Sequence, residues 1–398
     1  MAKTPKILAM CPDLPYPIVA GGQMRMASIC EALSKCSRLH MACIAPSLPE
    51  PTREWARALA ITIEHVQEAP GGSPSWCRHA LAVAARDNLR YASKEKHDFD
   101  RVFRQVTPDL IWLETPYLLR YVLDRIHRTP VAVDYWGTSE GAKRLFRHST
   151  GIPKIKEGLK WWAASGSERR YARKVRDIVC VSNLDALYFK KIAPLSRTWP
   201  IPNGIVKPAV PDKHTVSDQE RHLSMIFTGD LSYRPNVDAA VFFADRILPM
   251  IREELPGAVF RVVGRNPSPS VLTLKQQPGI DIVGFVPDLA EEVTRSTIYV
   301  LPMRLGSGIR SKLFDVFPLA KGIVTTTIGA EGLELRHDRN CLIADEAPDF
   351  ARSCIRLLND DEKREKLGNE AGRLASEVYT QENIDKLVNE AVKTILAG

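Results

Sequence analysis

Eleven short apolar runs, most of them rich in β-branched residues, recur along the chain with helix-like stretches between most of them. The first five are KILAM (6–10), LHMACIA (39–45), LIWLE (110–114), VAVDYW (131–136) and DIVCVS (177–182). LSMIFTG (223–229), AVFRVVG (258–264), IDIVGF (280–285), IYVLP (298–302), GIVTTT (322–327) and CLIA (341–344) follow. Runs this short and this apolar read as strands covered on both faces. Helices between them supply the covering layers. Met26, Ile29, Cys30 and Leu33, spaced i, i+3, i+4, i+7, predict one such helix with a single apolar face. The alternation therefore predicts an α/β fold with doubly wound parallel sheets.

A chain of 398 residues is too long for one ordinary core and implies two domains. Residues 197–222 are rich in proline and polar side chains, as linkers are. They put the boundary near Asn203–Gly204. The expected division is 1–203, 204–375, and a terminal helix at 376–398 packing back toward the first domain. With 26% charged and 44% hydrophobic residues, disorder is excluded as the general state. No apolar run reaches the ~20 residues of a membrane span, and no export signal opens the chain, so a cytoplasmic location is expected. The eight cysteines form no CxxC pair and read as reduced core residues. Of the net charge of +8, residues 140–176 alone supply that much, with eleven Lys/Arg against three Glu. One basic segment without a nucleic-acid motif argues against nucleic-acid binding. It suits contact with an anionic membrane, an acidic acceptor, or a solvated helix face.

Four stretches hold candidate chemistry. GSGIRSKLFDVF (306–317) follows a strand and is expected to open a helix, whose free N–H groups attract anions. Ser307 and Gly308 permit close approach, Arg310 and Lys312 add charge for a phosphate, and Asp315 can accept hydrogen bonds from ribose hydroxyls. Gly21 and Gly22 in PYPIVAGGQMR either bring backbone to a ligand or open a helix. After Gly264 and Gly284, Phe285 and Val286 can frame a flat base, or the glycines merely turn the chain. Glu331, between glycines, holds a ligand or bonds its own backbone. Asp134, at a strand's carboxyl end, contacts acceptor or donor sugar, or caps the next turn. The Asp-x-Asp of HDFD (97–100) reads as N-cap and first-turn residues, so no metal site is expected.

The stretches GSGIRSKLFDVF and GIVTTTIGAEGL, with IPNGI, FTGDLSYRPNVDA and VGFVPD, resemble glycosyltransferase family 4. PYPIVAGGQMR and VSNLDA carry the resemblance into the first half. It implies the GT-B fold, two Rossmann-like domains facing across a cleft. It also implies retaining, metal-independent transfer from a nucleoside-diphosphate sugar, a UDP-hexose being expected. No cofactor is implied. The acceptor would be a hydroxyl on a small molecule, a lipid-linked sugar or a polysaccharide, with Tyr16, Tyr135 and Trp136 as acceptor-side candidates. Gly229 and Arg265 join the donor set. Asp230 and Pro235 stand where the family has arginine and lysine, so Arg310 and Lys312, with Arg234, must supply the charge. Ser307 and Asp315 replace two glutamates, and Pro318 sits where a helix alanine is usual. A catalytically degenerate partner subunit, or a nucleotide-sugar-binding protein without turnover, is the alternative.

Overall fold

The computed structural model describes residues 4–19, 21–66, 93–205 and 223–398. Two compact units divide the chain, Met1–Gly204 with Gln381–Gly398, and Ile205–Thr380. In the first unit, β1 (Lys6–Cys11), β2 (Arg38–Ile44), β3 (Thr62–Val66), β4 (Leu110–Leu113), β5 (Val131–Tyr135), β6 (Asp177–Cys180) and β7 (Arg197–Pro200) form one sheet. Its order is β3-β2-β1-β4-β5-β6-β7, and every pairing is parallel. The second sheet contains β8 (Ser224–Thr228), β9 (Val259–Val263), β10 (Ile280–Gly284), β11 (Ile298–Leu301), β12 (Gly322–Thr325) and β13 (Leu342–Ile343), in the parallel order β10-β9-β8-β11-β12-β13. Strand order reverses between β1 and β4 in the first sheet and between β8 and β11 in the second. Beyond the carboxyl ends of strands at such a switch point, ligands find a crevice.

Two strands escape the sequence reading, both at edges of the first sheet. β3 (TIEHV) buries only Val66, because an edge strand faces water along much of its length. β7 (RTWP) corrects the linker assignment from Arg197 to Pro200, and its proline is tolerable only at an edge. Asp177 fixes it there, accepting from Arg197 Nε (2.7 Å) and Nη2 (2.9 Å) and from Trp199 Nε1 (3.0 Å). The rest of the linker, 206–222, and Cys77 lie outside the described residues. The Asp-x-Asp reading also needs correction. Its helix already begins at Ser93, so both aspartates lie inside it, and Asp100 pairs with Lys96 (2.8 Å) and Arg125 (2.6 Å).

Side-chain alternation sorts the first sheet into two cores. Ile7, Ala9 and Cys11 face one side, and Leu8 and Met10 the other. On the first side, the Gly21–Cys36 helix brings Met26, Ile29, Cys30 and Leu33 against the Gln381–Leu396 helix, which contributes Ile384, Val388, Ala391, Val392 and Ile395. That spacing is a single helical face. The chain's end thus completes the core of its beginning. Leu33→Ala, fully buried at this contact, is expected to lower the unfolding free energy of the first unit by ~2–5 kcal/mol. Urea denaturation followed by tryptophan fluorescence measures it.

Candidate functional site

At the switch point of the second sheet, β8 ends at Thr228 and is followed by Gly229, and the loop after β11 runs to Lys312. Lys312 Nζ donates to Thr228 O (2.8 Å) and to Asn236 Oδ1 (2.7 Å), and lies 4.4 Å from the centre of the Phe227 ring. Gly229 makes room for it. A Cβ there would stand 2.9 Å from Lys312 Nζ and 2.8 Å from Asn236 Nδ2. Gly264, one strand over, has still less space, since its Cβ would fall 1.7 Å from Gly229 O. Gly264 N in turn donates to Gly284 O (2.7 Å). Three strands therefore end in glycines pressed together, with a cation beside them. Burial, and then the charge of Arg310, pull Lys312 down to about 7. It is a lysine poised near neutrality at a sheet's carboxyl edge.

The 306–317 stretch is less helical than expected. Its α-helix covers only Lys312–Val316 and gives way to a 3-10 turn at Phe317–Leu319. Pro318 lacks the N–H that would continue the ladder. Arg310 therefore sits in the loop before the helix, with its side chain folded inward. Gly306 (φ +102°) lets the loop wrap it, for a Cβ there would meet Arg310 Nη1 at 2.8 Å. The guanidinium donates to Ser307 O (3.2 Å) and Ile328 O (3.3 Å) and pairs with Glu331 at 3.7 Å. Glu331 thus meets Arg310. Ser307 is half-buried, and Gly308 turns the loop at φ +72°. Asp315, on the short helix, is pushed up to about 6 by burial.

Around this edge, Phe285 is 75% exposed, directly after Gly284, and Val286 beside it is half-buried. Arg234 is exposed at the start of the Arg234–Phe242 helix. Asp230 accepts from Ser232 N (3.0 Å) and Oγ (2.6 Å), Arg265 Nε (3.1 Å) and Asn266 Nδ2 (3.3 Å). Burial opposes its charge, but these bonds outweigh it and hold the carboxyl below its usual range. Arg265 is thereby tethered to Asp230. Sequence reading missed Asn236, which links Lys312 to the Asp230 backbone through Nδ2 (2.9 Å). The available signal was a polar residue buried in a helix's first turn. Tyr233, half-exposed and within the field of Arg310, was missed as well. A separate open groove along the β13 edge, lined by Thr327, Asp345 and Arg352, includes none of the candidate residues.

In the first unit, Asp134 departs from its expected role. It is fully buried and accepts from Arg25 Nε (2.8 Å) and Nη2 (3.0 Å), and Arg25 is only 1% exposed. The carboxylate therefore neither faces a ligand nor caps a turn. Arg25 also donates to Ile201 O and to Pro202 O (2.9 Å), tying helix, sheet and the end of this unit together. Beside the pair, Glu114 is buried with no hydrogen-bond partner for either oxygen among the described residues. Burial, reinforced by Asp134, raises it well above the usual range. Tyr135 is likewise corrected. Strand alternation turns it into the opposite core, 4.5 Å from Phe189, where it is buried. Trp136 is half-buried and lies on Gly22, where a Cβ would stand 2.8 Å from its ring. Gly21 opens the helix. Tyr16 stacks on Trp55 at 6.0 Å. Asp134→Ala, which strands a buried arginine, is expected to cost ~3–5 kcal/mol. The loss should appear in the unfolding midpoint.

Residues 222–360 match the family model for glycosyl transferases group 1. An uncharacterised 44.6 kDa protein in the cps region of Klebsiella pneumoniae is 21% identical over 169 residues, which are 40% of this chain and 44% of that one. The match thus spans under half of that relative. Sucrose-phosphate synthase from Thermosynechococcus elongatus superimposes with a TM-score of 0.74 at 13% identity, covering 98% of this chain and 99% of that one. HepE from Anabaena, in complex with UDP-glucose, does so with a TM-score of 0.65 at 13% identity, covering 98% and 100%. TarM gives 0.68 at 9% identity, covering 100% and 99%. The two parallel-sheet units and these likenesses make the fold GT-B, and with the family match they support a GT-B glycosyltransferase.

Proposed function

We propose that this chain transfers a sugar from a nucleoside-diphosphate sugar, favouring a UDP-hexose, to an acceptor hydroxyl. The observation that carries the reading is Lys312, held against the glycine that follows β8 at a switch point. As the glycosidic C–O bond breaks, negative charge grows on the departing diphosphate. Donors already fixed in place stabilise that charge without reorganising. Lys312 supplies the ammonium, with Arg310 and Arg234 in support, so no metal is needed for it. Phe285 offers a flat exposed face for the base. Asp315 accepts from the ribose hydroxyls, and Glu331 orients Arg310. Retention of anomeric configuration follows from the resemblance to glycosyltransferase family 4, and the departing phosphate takes the acceptor's proton. The choice of a UDP-hexose is supported by HepE, solved with UDP-glucose and with UDP and glucose. Small-molecule, lipid-linked and polysaccharide acceptors all fit the reading.

A second reading, a partner subunit without turnover, is favoured by one feature. Asp230 and Pro235 occupy the family's two cationic positions, and Asp230 draws Arg265 to itself.

Incubation of the chain with a panel of UDP-hexoses and sugar acceptors, followed by proton NMR of the new anomeric centre, tests the first reading. A transferred sugar of unchanged configuration is expected. UDP release no faster than without acceptor, across the whole panel, favours the partner subunit. Binding has its own signature. A diphosphate stabilises the ammonium, so UDP affinity should fall as pH rises above about 7, where the free enzyme's Lys312 has lost its proton. Lys312→Met should weaken UDP ~10–100-fold at neutral pH and abolish that fall. Titration calorimetry between pH 6 and pH 9 measures both effects.

A further inference from the structure

The Gly151–Ala172 helix packs one side against the Glu140–His148 helix. Gly158 receives the Phe146 ring, and Phe146 stacks on Trp161 at 5.6 Å. Another side carries Ile155, Leu159 and Trp162, which are 67%, 64% and 64% exposed. Their spacing, i, i+4, i+7, places them in one row along the helix. Single exposed apolar residues are ordinary, but an aligned row containing a tryptophan marks an interaction surface.

Charge identifies what covers the row. Lys154, Lys156 and Lys160 are exposed along the same turns. Two of the three glutamates of the basic segment are drawn elsewhere, and the third meets this face at Lys160. Glu140 pairs with Lys143 (2.8 Å), and Glu157 is buried and pairs with Lys160 (3.0 Å). Glu168 accepts from Ser139 N (3.0 Å) and Tyr188 OH (2.6 Å). None of the three is exposed, whereas Arg147, Arg169 and Arg170 are. A second copy docking on this face would set cations against cations. An anionic bilayer complements both features, taking apolar side chains below its headgroups and ammonium groups among them. At 22 residues the helix would lie ~33 Å along the surface.

We propose that the Gly151–Ala172 helix is a membrane-surface element, seating Ile155, Leu159 and Trp162 at the acyl boundary and Lys154, Lys156 and Lys160 on anionic headgroups. No helix among the described residues is long and apolar enough to cross a membrane. The contact is therefore in-plane.

Sedimentation of the full chain with vesicles tests this, independently of donor binding or turnover. Partition into phosphatidylcholine vesicles containing phosphatidylglycerol should exceed that into phosphatidylcholine alone by at least ~10-fold, and fall with added salt. The charge variant Lys154→Glu/Lys156→Glu/Lys160→Glu and the apolar variant Ile155→Ser/Leu159→Ser/Trp162→Ser should each lose ~10-fold or more. Lipids brominated on the acyl chain should quench tryptophan emission in the wild type and quench less in Trp162→Phe, a change mild enough to keep the fold. Absence of partition, equal partition into both vesicles, or quenching unchanged in Trp162→Phe overturns the proposal. So does a wild-type dimer that the apolar variant turns into a monomer, which would make a second copy the occupant.

Discussion

The ammonium of Lys312 beside Gly229 is the contact on which the second unit's arrangement turns. Two hydrogen bonds anchor it, one to the last residue of β8 and one to the helix that follows. Neither could form if Gly229 carried a side chain, and Gly229 could not lie where it does if Gly264 carried one. The carboxyl edge of the sheet is thus bordered by bare glycine backbone beside the lysine. Gly229 N and Gly264 N are spent on Val263 O (3.0 Å) and Gly284 O (2.7 Å), so the half-protonated Lys312 is what an incoming diphosphate would meet there. An uncompensated buried charge is costly. Part of that cost is avoided because Lys312 gives up its proton near pH 7, and a bound anion would restore it.

In the first unit the comparable place is closed instead of open. Asp134 and Arg25 neutralise each other out of contact with water, and Glu114 lies buried beside them, its carboxyl raised well above the usual range. Arg25 reaches two carbonyls at the end of the unit. Ser28 Oγ, one turn along the same helix, accepts from Gly204 N (3.2 Å) and donates to Gln381 Oε1 (2.8 Å). One helix therefore fixes both places where the chain leaves and re-enters this unit. Such a pair is expected to specify geometry more than to add stability.

Much of this was legible in the sequence because buried parallel strands are written as uninterrupted apolar runs. β1, β4, β8 and β11 show it plainly. The edge strands β3 and β7 were not legible, since half-exposed residues and a closing proline look like loop. In the candidate site, residue types pointed to the 306–317 loop, but not to the distances within it. That Arg310 turns inward while Lys312 borders the glycines depends on Gly306 and on where the helix starts, three-dimensional facts with no one-dimensional trace. Asp134 misled because a carboxylate ending a strand has the same spelling whether it meets substrate or a buried arginine 109 positions away.

The most direct test is a crystal structure of the chain with UDP at saturation. Density for the diphosphate within hydrogen-bond reach of Lys312 Nζ, with the base against Phe285, is the predicted result. A diphosphate bound elsewhere, or no ordered UDP at saturating concentration, would contradict the account.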